Sequence, residues 1–142
     1  MVLSLLLACV HTVHGVLVPE EERLWLYRSE GRPLAVVTGE ASRELEYLGD
    51  CTVQLEGRQL GRRLTVQDWT VLAAGDGSAP FIGVLRWDGS RLLMDDRFSG
   101  ATYVLEGHDD LRAFEGKPVM IIGYVTGPQV VQVMGWRLLA DE

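Results

Sequence analysis

Gly15-Val16-Leu17-Val18-Pro19-Glu20-Glu21-Glu22-Arg23-Leu24 returns 68 residues later as Gly83-Val84-Leu85-Arg86-Trp87-Asp88-Gly89-Ser90-Arg91-Leu92. The ends of the stretch are kept and its middle is rewritten. Two strands that must keep their core positions around a hairpin tip that is free to change leave this pattern. Later landmarks hold nearly the same spacing: Gly31 with Gly100, Gly39 with Gly107, Gly49 with Gly116 and Trp69 with Trp136. Self-similarity over most of the 142 residues means that one module of about 60 residues is written twice.

Within the first copy, the apolar, β-branched run Val13 to Val18 and the alternating run Arg23 to Arg28 read as strands, and Leu34 to Thr38, closed by Gly39, as a third. The period then changes. Leu45 and Leu48 lie three apart between Ser42 and Gly49, the start and stop signals of a short helix. Thr52 to Leu55 and Leu64 to Leu72 add two strands around the loop Gly57-Arg58-Gln59-Leu60-Gly61. The second copy repeats the order. Asp88-Gly89 favours a tight hairpin turn, Asp109 or Asp110 caps a helix that carries Leu111 and Phe114, and Val119 to Ile122 reads as a strand buried on both faces. Gly49 and Gly116 are expected to close the two helices in the left-handed conformation.

Composition places the chain among folded proteins, with 47% hydrophobic and 23% charged residues and only 5 Pro. Thirteen Lys and Arg against 20 Asp and Glu give a net charge of −7, which argues against nucleic acid as a partner because that affinity is built on clustered cations.

Five strands with one helix between the third and fourth is the element order of the OB-fold, a partly open Greek-key barrel. The passage Tyr103-Val104-Leu105-Glu106-Gly107, Leu111, Phe114-Glu115-Gly116-Lys117-Pro118-Val119 and Gly123 resembles the strand-helix-strand segment of small OB modules in bacterial envelope lipoproteins. The apolar start, ending Leu6-Leu7-Ala8-Cys9, resembles a lipobox, in which the cysteine carries the lipid; no Lys or Arg precedes it, a departure from the usual export signal. The expected fold is therefore mainly β: two tandem OB-like five-stranded barrels, each with one short helix between strands three and four. The expected organisation is a signal segment at 1–9, module one at 10–75 and module two at 80–142. The resemblance implies lipid attachment at Cys9 and a place in the bacterial cell envelope, anchored in the outer membrane and facing the periplasm, with an envelope protein complex or glycan as partner.

OB modules bind through strands two and three and the loops beside them. Alternation puts Leu24 and Leu26 on one side of strand two and Arg23, Trp25 and Tyr27 on the other, and Arg58, Arg62 and Arg63 cluster between strands four and five. These six are the candidate ligand-binding residues. Exposed aromatics beside arginine stack on bases, sugars or peptides, so a single-stranded nucleic-acid or oligosaccharide binder is the alternative reading. Trp69 and Trp136, being matched between copies, are expected to be core or interface anchors, and Cys51 a small buried thiol or the partner of Cys9. No nucleophile elbow, phosphate loop, zinc motif or calcium loop is present, so neither catalysis nor a cofactor or metal is expected.

Overall fold

The computed structural model describes residues 10–28, 31–40 and 42–140. The chain parts into two compact units between Gly77 and Ser78. Cys9 and the segment 1–9 lie outside the described residues.

In the first unit β1 (His11–Glu20), β2 (Arg23–Tyr27) and β3 (Pro33–Thr38) form an antiparallel meander. The helix α1 (Ser42–Leu45) runs into a 3-10 turn at Glu46–Leu48 and leads to the long hairpin β4 (Thr52–Leu60) and β5 (Arg63–Ala73). β1 is long enough to serve two neighbours, β2 with its second half and β4 with its first. β5 lies parallel to β3 along Val36–Thr38 and Arg63–Thr65, so the order of neighbours is β1-β2-β3-β5-β4, with β4 back on β1.

The second unit is a closed five-stranded barrel with the same order. Its strands are β6 (Phe81–Trp87), β7 (Leu92–Asp96), β8 (Thr102–Glu106), β9 (Pro118–Gly127) and β10 (Val130–Leu138), with β8 and β10 parallel. This topology is compatible with an OB-fold.

Inward positions recur in register. Leu17, Leu24, Leu26, Leu45, Val53 and Leu55 are buried in the first unit, and Leu85, Leu92, Met94, Leu111, Val119 and Ile121 in the second. Burying a side chain of this size stabilises by about 1.5–3 kcal/mol relative to leaving it in water, so positions kept in both copies are the ones folding depends on. Phe114 and Trp136 pack on the second core with ring centroids 5.2 Å apart. Trp69, only 1% exposed, is the most enclosed tryptophan, whereas Trp136 is half-buried. Cys51 is fully buried.

The structure corrects four expectations. The described residues hold a single short α-helix, not two: Asp109–Phe114 is a 3-10 helix. Only Leu111 of its six residues is buried, whereas residues 42–48 of the first unit are pinned by both Leu45 and Leu48; with a single anchor the second segment closes in the tighter 3-10 form. Nor does an aspartate cap it, since His108 stands at the N-cap position without a side-chain bond. Gly116 is left-handed at φ +84°, but Gly49 is not, at φ −52°; the left-handed residue there is Asp50 at φ +68°. Finally, β4 runs on through the expected loop to Leu60, because Gly57 is a strand glycine facing the Thr65 carbonyl rather than a turn residue.

Candidate functional site

Arg23 and the pair Arg62-Arg63 are about 40 residues apart in sequence and line one groove of about 600 Å³ on the first unit. The sheet topology causes the meeting. β2 lays Leu24 beside Val37, and the parallel pairing lays Val36 beside Arg63, so the width of the single strand β3 separates Arg23 from Arg63. The Val36 amide donates to the Arg62 carbonyl at 2.6 Å, fixing the tip of the β4–β5 hairpin against β3. Gly61 makes the reversal at φ +63°, and Gln59 Nε2 donates to its carbonyl at 3.1 Å.

Leu24, Val36 and Val37 supply apolar lining, with Thr38 donating its hydroxyl to the Leu64 carbonyl at 3.4 Å. Two acidic residues stand at the rim: Glu22 from the β1–β2 turn and Glu46, one helical turn beyond Ser42. Leu60 completes the lining and is 82% exposed, an aliphatic side chain held in water at a hairpin tip. The groove thus offers three guanidinium groups, two carboxylates, an apolar part of the lining from Leu24, Val36 and Val37, and an unsheltered leucine.

The other expected binding residues lie apart from it. Trp25 is half-buried and shares a neighbouring recess with Glu20, Glu21, Glu22 and Arg23. The Tyr27 hydroxyl donates to Glu20 Oε1 at 2.7 Å, and this bond to a carboxylate raises its pKa. Arg58 stands on β4 opposite Thr65 and does not line the groove. Glu22, Glu46 and Leu60 were not singled out by the sequence; the Ser42–Glu46 spacing and an aliphatic residue beside Gly61 are the signals that point to them.

The outer face of the second unit is organised differently. Arg86 binds Asp95 in bidentate fashion at 2.9 and 3.0 Å, and Thr102 donates to the same carboxylate at 2.8 Å. The bond from Arg86, then that from Thr102, lowers the Asp95 pKa. Leu93, which alternation turns outward between Arg86 and Val104, is nevertheless buried. Arg23, Arg62 and Arg63 of the first unit have no ion pair among the described residues, whereas this face closes its charges on each other.

Among the described residues no helix is long and apolar enough to cross a membrane. Fold and groove together define a mainly β protein with an OB-compatible five-stranded barrel and an arginine-bearing, partly apolar surface groove. No family model, no curated protein and no solved structure matches the chain.

Proposed function

We propose that this is a non-enzymatic binding protein of the bacterial envelope, built from two OB-like modules and tethered by a lipid on Cys9. Its first module receives an extended, acidic and apolar segment of a protein partner. The observation that carries this reading is the convergence of Arg23, Arg62 and Arg63 around the apolar lining of Leu24, Val36 and Val37, with Leu60 exposed beside them. A backbone laid along β3 would place a carboxylate against the guanidinium groups, which bind it bidentately, and an aliphatic side chain against Leu60. Polyphosphate ligands fit less well. Glu20, Glu21 and Glu22 crowd the adjoining turn, and a net charge of −7 opposes a nucleic-acid backbone. The lipobox-like start supports the tether.

Three measurements test the proposal. A palmitate analogue supplied to cells is expected to label the protein at Cys9; unlabelled protein recovered from the cytosol would remove the envelope assignment. Envelope proteins crosslinked to the wild-type chain are expected to be lost from the Arg62→Ala/Arg63→Ala variant at unchanged circular dichroism. Salt-sensitive binding of an oligothymidine of about 15 nucleotides, with no protein crosslink, would overturn the protein-partner reading in favour of single-stranded nucleic acid.

A further inference from the structure

The two long hairpins have diverged in opposite directions. The first, Thr52 to Ala73, carries Glu56, Arg58, Arg62, Arg63 and Asp68. The second contains no Asp, Glu, Lys, Arg or His for 19 residues, from Pro118 through Trp136, in a chain that is 23% charged. The bare stretch is also incompletely paired. β9 lies against β6 only as far as Ile121, opposite Phe81; the residue before Phe81 is Pro80, which has no amide to continue the ladder. In the first unit β1 follows β4 two residues further, to Gly57, the counterpart of Gly123.

Beyond Ile121, β9 pairs with β10 on one side, and among the described residues no strand pairs with its other side. This open edge runs over Ile122–Val125 and ends at Thr126, which the β9–β10 register leaves unmatched. Tyr124 and Val125 are 55% and 58% exposed. Successive strand residues face opposite ways, so both faces of the sheet are open to solvent here. Met134, the unmatched residue of a bulge in β10, is 64% exposed. Natural edges are blunted by charge or proline, and this one carries neither.

We infer that the β9 edge is a self-association site, where Ile122–Val125 pairs antiparallel with the same residues of a second copy across a two-fold axis. Charge selects this occupant. Two chains of net charge −7 repel over most of their surface, and this uncharged edge is where the backbones can approach without opposing like charges. Size sets the strength. Four residues a side bury well under the roughly 800 Å² per partner of a standard stable interface, so the dimer is weak and concentration-dependent.

Sedimentation velocity on the 142-residue chain is expected to show monomer at about 1 µM and a growing dimer fraction towards a few hundred µM, as a dissociation constant of tens of µM requires. Val125→Lys, which places like charges on both edges, is expected to weaken association at least tenfold, while Leu72→Lys, at an exposed position of the other hairpin outside the groove, leaves it unchanged. Hydrogen exchange on the wild type supplies a readout that survives if Val125→Lys does not fold: amides within Ile122–Val125 gain protection as concentration rises. A monomer at every concentration, a dimer indifferent to Val125→Lys, or exchange at these amides independent of concentration would each overturn the inference. A monomer that sediments with phosphatidylethanolamine vesicles would overturn it in favour of a lipid surface. None of these outcomes bears on the arginine groove.

Discussion

Gly15 and Gly83 occupy equivalent positions in the two units, and at each a Cβ would fall on the carbonyl oxygen of the neighbouring strand, Tyr27 in one and Asp95 in the other. Gly57 and Gly123 form a second such pair, facing the carbonyls of Thr65 and Gln132. Duplicated sequence thus means duplicated geometry at the points where strands approach too closely for any side chain. Gly83→Ala is expected to cost about 1–3 kcal/mol, the range for forcing atoms into a packed site. Gly89→Ala, where φ is +101° and nothing lies within 4 Å, is expected to cost about 1 kcal/mol from backbone strain alone. Urea denaturation followed by tryptophan fluorescence ranks the two; a Gly83 variant as stable as wild type contradicts the close approach.

The matched tryptophans should part company. Trp69 is 1% exposed, and Trp69→Ala is expected to cost about 3–5 kcal/mol, as large cavities in cores do. Trp136 keeps one side in solvent while resting on Phe114, so Trp136→Ala is expected to cost clearly less. Equal losses on denaturation would show that sequence equivalence, rather than burial, sets the energetic role.

Acid is expected to weaken the second unit over a defined window. The Asp88 carboxylate accepts the amides of Ser90 and Arg91, and these bonds, in that order, pull its pKa from 3.8 to about 2. A depressed folded-state pKa means that the stabilisation is complete above 3.8 and disappears as pH falls towards 2. Asp95, also lowered, acts in the same direction. The urea midpoint is expected to drop across this interval, and Asp88→Asn, which keeps an acceptor for the amides but does not titrate, is expected to flatten the profile. A midpoint that rises on acidification would contradict the sign.

Much of the architecture was legible because period two and period three were each written twice. Leu24 with Leu26, and Leu45 with Leu48, announced a strand and a helix, and their counterparts Leu92, Met94 and Leu111 confirmed which positions the core needs. The spacing of Leu111 and Phe114 overstates the second helix because Phe114 is only half-buried, leaving Leu111 to hold a 3-10 turn. Gly57 differs in another way: a glycine demanded by a carbonyl of the paired strand looks, in sequence, like a glycine demanded by a turn. For the site, Arg62 and Arg63 announce themselves by adjacency. That Arg23 joins them and Arg58 does not depends on the parallel β3–β5 register, a non-local pairing that no local pattern records.

The groove predicts opposite responses from its two kinds of charge. Exposed ion pairs contribute up to about 1 kcal/mol each, so Arg63→Ala is expected to weaken binding of an acidic, leucine-containing peptide by up to about fivefold. Glu46→Gln, which removes a carboxylate from the same rim, is expected to strengthen it by a smaller factor. Both effects should shrink as salt rises from about 0.05 to 0.5 M, because screening shortens the reach of surface charges, whereas Leu60→Ala should weaken binding equally at either salt since its contribution is apolar. Fluorescence anisotropy of a labelled peptide reads all three. Glu46→Gln and Arg63→Ala shifting affinity in the same direction would mean that the ligand does not lie between them.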